Sequence, residues 1–296
     1  MNAKVGIVIV NWNTGKLLAE CLLSIQRIPE ASEISRIVVV DNASKDGSVA
    51  QAKGVACENI PVEFKELDYN AGFARANNLG IKAIKAQCPE CHIMLLNPDT
   101  SVTSGSIGAL LGLMNQEEDV AVAGPKLLNQ DGSLQVSVRN LPSAINLLFT
   151  WFKLQRLLPE SRSWKRYMQT DFDYEREQDV EQVMGAAFMV STKAIKEIGL
   201  LDEDFWIWFE EVDYCKRALD AGMKVRYTPR GQIMHYGGVS FSQLDTVKKA
   251  RPWVKSSLRY ARKHLGVFNW IVMILLSPFA LLLSVLVSLI RRYASV

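Results

Sequence analysis

Apolar residues in the first half of the chain come in short unbroken runs separated by segments of helical periodicity. Val5–Val10 reads as a buried strand closed by Asn11-Trp12-Asn13-Thr14-Gly15, after which Leu17, Leu18, Cys21, Leu22 and Ile25 recur on one helix face. The alternation repeats. Strands are predicted at Arg36–Asp41, Val62–Leu67, Ile93–Leu96 and Val120–Ala123, with helices at Phe73–Ala86 and Ser104–Met114. Such spacing predicts βαβ units in an α/β fold, a doubly wound, mostly parallel sheet with helices on both faces. Sheets of this kind bind ligands beyond the carboxyl ends of their strands. Four successive strand ends are rich in Asn, Asp, Ser and Gly: Asn11 with Asn13, Asp41 with Asn42 and Ser44, Asn70 with Gly72, and Asn97 with Asp99. One alone is ordinary turn chemistry; four in register predict a binding rim.

The rhythm breaks between Leu141 and Gln182, where Trp151, Phe152, Trp164, Tyr167, Phe172 and Tyr174 lie among charged residues without a period. Two readings stand, an irregular packing insertion and an acceptor-facing lid. The carboxyl end differs in kind. Phe268–Ile290 contains no charged residue. As a helix it spans roughly 35 Å, enough for a hydrocarbon core. It predicts a membrane segment over residues 267–296, either a single span or a hairpin bent at Pro278, with a buried core helix as the bland alternative. Residues 246–266 read as a basic amphipathic interfacial helix. Val254, Leu258, Ala261 and Leu265 share one face, Lys255, Arg259, Arg262 and Lys263 lie on others, and Trp253 and Tyr260 serve as interfacial anchors.

Composition narrows the class. The chain has 296 residues, 49% hydrophobic and 22% charged, enough for one substantial domain with an appendage. Its net charge of +3 is mild, and the basic excess gathers from Lys248 to Lys263 and at Arg291 and Arg292, so nucleic acid is not an expected partner. The opening residues have no signal-peptide pattern, and the five cysteines read as reduced thiols. Cys88-Pro89-Glu90-Cys91-His92 matches the haem-attachment pattern, but without export or a second ligand pair neither haem nor zinc is expected. No Gly-rich dinucleotide or phosphate loop follows the first strand, which argues against a Rossmann dehydrogenase or P-loop enzyme.

The chemistry concentrates in two places. Glu210, Glu211 and Asp213 follow directly on Phe205-Trp206-Ile207-Trp208-Phe209. A carboxylate beside an apolar wall has raised proton affinity, which suits a general base; the plainer reading is decoration of a helix N-terminus. Asn97-Pro98-Asp99 ends a strand and offers an oxygen ligand for a divalent cation. His235, ending an expected edge strand Gln232-Ile233-Met234, offers an imidazole, or is a histidine bonded to backbone.

In order along residues 4–240, the chain resembles the inverting nucleotide-sugar glycosyltransferases of family two, which have the GT-A fold. The resemblance rests on Val8–Asn13, Val38–Ser48, Asn70–Gly80, Leu95–Asp99, Gly185–Met189, Leu201–Phe205 and Glu210–Arg217, with His235. Asn97-Pro98-Asp99 and the tail Lys255–Tyr260 look most like the rhamnosyltransferase branch of bacterial polysaccharide synthesis. The resemblance implies a GT-A domain over 1–245, with a nucleotide-binding half (1–125) and an acceptor-binding and catalytic half (126–245). It implies Mg²⁺ or Mn²⁺ on Asp99 and His235, and Glu211 as general base where the family more often has Asp. Glu210 would orient that base, and Asp213 would hold local structure or an acceptor hydroxyl. Asp41 would accept the pyrimidine N–H, with Asn11, Asn13, Asn42, Ser44, Asn70, Gly72, Asn77, Asn97 and Asp99 around the nucleotide sugar. Arg75 would reach the pyrophosphate or a surface ion pair. Asn97 departs from the family's commoner Asp. The implied activity moves a sugar, first L-rhamnose from dTDP-rhamnose, with UDP donors open, onto a lipid-linked glycan. Its implied place is the cytoplasmic face of the inner membrane. The alternative is a catalytically inactive membrane-anchored nucleotide- or glycan-binding module of the same fold. Oligomeric state is not legible.

Overall fold

The computed structural model describes residues 3–55, 59–237 and 246–294. Cys57, Gly238, the boundary expected at residue 245 and the side chains of Lys248, Arg291 and Arg292 lie outside that description. The strands are β1 (Val5–Asn11), β2 (Ile34–Asp41), β3 (Val62–Glu66), β4 (His92–Leu96), β5 (Thr100–Val102) and β6 (Val120–Leu128). They continue as β7 (Leu134–Gln135), β8 (Val138–Arg139), β9 (Gln178–Asp179), β10 (Gln182–Val183), β11 (Ala187–Val190) and β12 (Lys224–His235). The helices are α1 (Leu17–Gln26), α2 (Ser48–Gly54), α3 (Phe73–Gln87), α4 (Ser106–Gln116) and α5 (Ala144–Trp151). After them come α6 (Arg162–Met168), α7 (Thr192–Ile198), α8 (Glu210–Asp220), α9 (Thr246–His264) and α10 (Val267–Ala294).

Strands β3, β2, β1 and β4 lie side by side and parallel. Alternation along β1 explains its two-sided burial. Val5, Ile7 and Ile9 join a core with Leu18, Leu22 and Ile25 of α1, while Val8 and Val10 join another with Ala74, Ile81 and Ile84 of α3. Each fully buried aliphatic side chain contributes roughly 1.5–3 kcal/mol. A Cβ on Gly80 would sit 2.4 Å from Val8 Cγ1, so this glycine lets α3 lie against the sheet.

The second half of the sheet is mixed. β11 runs antiparallel between β4 and β6, β6 is parallel to β12, and β5 closes the edge antiparallel to β12. His235 was expected on an edge strand; instead β12 is interior, because the chain doubles back after Asn97-Pro98-Asp99 to place β5 outside it. β12 takes up Pro229 at a register shift between Thr228 and Gln232, where no ladder bond is needed. Register aligns Asn11 with Asp41 and Asp41 with Glu66, so the polar strand ends share one rim.

The insertion is a packing element that also faces a cleft. Ser143 and Asn146 form a capping box that starts α5. Leu147 and Trp151 of α5 then share a core with Phe205, Phe209, Tyr260, Met273 and Ala280. Trp151 Nε1 donates to Ser257 Oγ at 3.0 Å. Cys88 and Cys91 are joined by a disulfide, contrary to the expectation of reduced thiols. The turn ending α3 brings them together, and Lys85 Nζ, donating to Pro89 and Cys91 carbonyls, holds that turn.

The carboxyl-terminal helices correct two further expectations. Tyr260 is 1% exposed, and Trp253 packs 5.5 Å from Trp208 and 5.1 Å from Phe209. These aromatics brace the protein rather than anchor it in an interface, because the apolar face of α9 turns onto the Phe205–Phe209 loop. Arg259 and Lys263 pair with Asp202, both at 2.9 Å. α10 runs unbroken through Pro278, so the chain makes no hairpin there. The proline removes an N–H from the turn, and Ser277 Oγ donates to the Ile274 carbonyl at 2.9 Å. Val267–Ile290, 24 residues with mean hydropathy 2.6, is long and apolar enough to cross a membrane by length and composition. Only 17% of its most apolar stretch is buried, unlike a core helix; Met273, Ala280 and Ser284 form its inner stripe.

Tyr260→Ala should therefore cost about 3–5 kcal/mol, as for other buried aromatic truncations, and lower the melting temperature by roughly 6 °C or more. Thermal denaturation of the detergent-solubilised chain measures it; an unshifted midpoint would contradict a bracing role.

Candidate active site

The rim is one hydrogen-bonded network. Asn11 Nδ2 donates to Asp41 Oδ1 (2.7 Å), Ser48 Oγ (2.8 Å) and Ser44 Oγ (3.1 Å), and the Ser44 amide donates to Asp41 Oδ2 (2.9 Å). The Asn13 amide donates to Ser44 Oγ (2.9 Å), and Asn13 Oδ1 accepts from the Lys45 amide (2.8 Å). Asn42 bridges onward, accepting from the Ala71 amide (3.2 Å) and donating to the Gly72 carbonyl (3.3 Å), while Asn70 Oδ1 accepts from the Gly72 amide (2.9 Å). Each Asp41 oxygen thus accepts one internal bond and keeps a lone pair for a ligand N–H.

Two expected rim residues sit elsewhere. Asn77 is 1% exposed and donates to the Phe73 carbonyl of its own helix at 2.9 Å, because its position on α3 turns it into the core. Arg75 is exposed and pairs with Glu203 at 3.7 Å, the surface alternative.

Gly72 stitches the rim to the aromatic loop. Its φ is +85°, and a Cβ there would lie 2.4 Å from the Trp206 carbonyl, which accepts from the Phe73 amide at 2.7 Å. No other residue fits this approach. Beyond it, Trp208 (φ +60°) and Phe209 (φ +72°) both lie in the left-handed region. Such non-glycine strain costs about 1–3 kcal/mol each and needs surrounding support. Trp253 packing and the Ser256 hydroxyl, donating to the Ile207 carbonyl at 2.7 Å, supply it. The strained step starts α8 so that Glu210 and Glu211 face a cleft.

That cleft, about 340 Å³, is lined by Asn97, Arg139, Trp208, Glu210, Glu211 and His235 among others. Glu210 Oε2 and Glu211 Oε2 are buried with no hydrogen-bond partner among the described residues. Burial, then the charge of Glu211, raises the Glu210 carboxyl well above the usual range. Burial raises Glu211 too, opposed by the helix amides and Arg139. Paired carboxyls of this kind titrate together, so both raised affinities belong to the pair.

At the other wall, His235 Nδ1 lies 2.7 Å from Gln135 Oε1. The amide's orientation is set by its Nε2, which donates to Asn129 Oδ1 (2.9 Å) and the His235 carbonyl (3.2 Å). Nδ1 therefore carries a proton, and Nε2 faces Asp99 Oδ1 at 3.4 Å, with Asn97 Nδ2 also at 3.4 Å. A carboxylate oxygen and an imidazole nitrogen so placed suit adjacent positions around one divalent cation, whose bonds of roughly 2.1 Å at right angles separate ligands by about 3 Å. The residues fit a metal. No group of three His, Cys, Asp or Glu converges among the described residues, so further ligands would be substrate oxygens or water.

Asp213, grouped by sequence with the two glutamates, is not on the cleft. Two positions on from Glu211, about 200° around the helix, it points away from that residue and is fully buried. Arg217 Nε (2.8 Å), Lys263 Nζ (2.7 Å) and His264 Nε2 (2.7 Å) surround it, clamping α8 to α9. Burial alone would raise this carboxyl, but His264, Lys263 and Arg217 outweigh it and hold the pKa at about 2. Gln135, Ser137 and Arg139 are the residues sequence reasoning missed; two-residue strands carry too little periodicity to announce them.

Comparison with known proteins agrees with this architecture. The family model described as Glycosyl transferase family 2 matches residues 6–199. A low-salt glycan biosynthesis hexosyltransferase of Haloferax volcanii is 25% identical over 187 residues, 63% of this chain and 54% of that protein. The chain thus spans about half that relative's length. An N-acetylglucosaminyl-diphospho-decaprenol L-rhamnosyltransferase of Mycobacterium tuberculosis is 27% identical over 252 residues, 78% of this chain and 75% of that protein. A crystal structure of GalNAc-T7 with UDP, GalNAc and Mn²⁺ superimposes with a TM-score of 0.59 at 16% identity, covering 79% of this chain and 44% of that one. The fold is shared.

Asp213→Asn should cost about 2–3 kcal/mol at neutral pH, from the depressed carboxyl and the cations left unpaired. A folded pKa below the ordinary 3.8 gives stability that is present above about pH 4 and lost as pH falls toward 2. Acid titration of the variant should lack that loss, and a wild-type acid limb would refute the clamp.

Proposed function

Because the chain belongs to glycosyl transferase family 2, we propose that it moves a sugar from a nucleotide-sugar donor to an acceptor hydroxyl with inversion at the anomeric carbon. The observation that carries this reading is one cleft lined by Glu210, Glu211 and His235, with Asp99 3.4 Å from that histidine.

Glu211 is the base. Its raised proton affinity suits removal of a hydroxyl proton as the acceptor oxygen attacks. The acceptor oxygen's electron pair forms the new bond to the anomeric carbon from the face opposite the leaving group. The bond to the diphosphate breaks with its electrons, and the proton ends on Glu211. Burial and the neighbouring carboxylate raise Glu210 further, so the pair resists carrying two charges at once. Asp99 and His235 would hold Mg²⁺ or Mn²⁺, which when bound supplies positive charge to the departing diphosphate. Asn97 adds an amide where a carboxylate would add charge, which predicts modest cation affinity. The Asn11–Asp41–Ser44 network would receive the pyrimidine and ribose.

The rhamnosyltransferase relative supports L-rhamnose from dTDP-rhamnose as the first donor to try, ahead of UDP sugars, and a lipid-linked glycan as acceptor. The apolar helix α10 supports attachment to a membrane, with the domain on the cytoplasmic face where nucleotide sugars are made. Donor panels with extracted lipid acceptor and Mg²⁺ or Mn²⁺ test this. Binding of dTDP or UDP without turnover of any donor would instead favour an inactive binding module, the reading to which Asn97 and Glu211 lend support.

Glu211→Gln should lower turnover by about 10²–10⁴-fold, the usual contribution of a general base, while leaving the Kd for dTDP nearly unchanged. A near-wild-type rate would refute the assignment. Since the base must be unprotonated, activity should rise with pH along a limb lying above the ordinary glutamate value of 4.5. Asp99→Asn and His235→Ala should each weaken Mn²⁺ binding by at least about tenfold, read by calorimetry.

A further inference from the structure

One strand segment in the cleft has no part in the scheme above. Ser137 and Arg139 flank Val138 at an i, i+2 spacing, so both side chains leave the same face of the chain, and both line the cleft. Ser137 is 5% exposed, and its hydroxyl is buried without a hydrogen-bond partner among the described residues. Arg139 is half-buried, and among the described residues it forms no ion pair and donates no side-chain hydrogen bond. A cation whose charge acts on Glu211 without forming an ion pair, and a hydroxyl with no hydrogen-bond partner, converge beside the two glutamates.

The backbone beneath them is rigid. Ser137 and Val138 amides donate to the Tyr174 hydroxyl at 3.0 Å each, and Arg139 stands opposite Gln182 in the two-stranded β8–β10 ribbon. An unpaired guanidinium on a fixed strand suits bidentate binding of phosphate oxygens, with the hydroxyl as a further donor. Phosphate in this cleft has two sources, the donor's diphosphate or a diphosphate on the acceptor. The donor's is already provided for at Asp99 and His235 in the scheme above.

We propose that Arg139 and Ser137 form an anion site for the diphosphate of a lipid-diphosphate-linked acceptor, making the enzyme selective for charged over neutral lipid glycans. This rests on the transferase reading only for the acceptor's identity; the binding site itself is testable without turnover.

The test uses the full chain in detergent with Mg²⁺ and saturating dTDP, titrated with geranyl diphosphate and with geraniol. The wild type should bind the diphosphate at least tenfold more tightly than the alcohol. Arg139→Gln should abolish that preference while its Kd for dTDP, measured separately, stays within about twofold, and Arg139→Lys should retain part of it. Diphosphate preference unchanged in Arg139→Gln would overturn the proposal. So would a variant that loses dTDP affinity and keeps geranyl diphosphate, since the phosphate would then be the donor's. Should Arg139→Gln melt early, Ser137→Ala decides: a threefold or greater loss of diphosphate affinity with dTDP binding intact supports the site, and no loss overturns it. If no nucleotide sugar is ever turned over yet the Arg139-dependent preference persists, the transferase reading fails and the anion site stands.

Discussion

The architecture depends on holding the Phe205–Phe209 loop in a backbone path it would not adopt alone. Two consecutive left-handed residues, Trp208 and Phe209, precede α8 and set the direction in which Glu210 and Glu211 point. The loop is pinned from three sides. Gly72 admits the Trp206 carbonyl, α5 contributes Leu147 and Trp151, and α9 contributes Trp253, Ser256 and Tyr260. Strain of this kind persists only where neighbours over-determine it, and here those neighbours come from the first half of the chain, the insertion and the tail.

The same convergence sorts the charges. Glu210 and Glu211 face a cleft with unanswered oxygens and raised proton affinity, whereas Asp213, about 200° around the helix from Glu211, is answered three times over. Its partners on α9, together with Arg217, decide that it is structural. A comparable division runs through the opposite wall, where Gln135 fixes the histidine ring and thereby leaves its other nitrogen toward Asp99.

Much of the first half was legible because its signals are local. Strand β1 is β-branched from Val5 to Val10 except at Gly6, and the Asn, Asp and Ser that close β1 and β2 form the network their positions implied. Two-sided burial made those strands read as parallel, and they are. What escaped was set by long-range packing. His235 looked like an edge position because nothing near it reveals that Thr100–Val102 returns outside β12. Tyr260 and Trp253 matched an interfacial pattern because the same amphipathic face that suits a lipid boundary suits a protein groove. Asp213 was grouped with the glutamates by adjacency, while its partners Lys263 and His264 lie about fifty residues further on. Ser137 and Arg139 sit in a ribbon whose strands are two residues long, too short to carry any periodicity.

The clamp between α8 and α9 has a practical corollary for anyone trimming the protein to ease its purification. Cutting before Thr246 would strip the cover from Phe209 and remove two of the three side chains that hold Asp213. The remaining fragment would carry a raw greasy scar directly under Glu210 and Glu211. Solubility would have to be sought distal to His264, where α10 begins, or by swapping α10 for another anchor while α9 is retained.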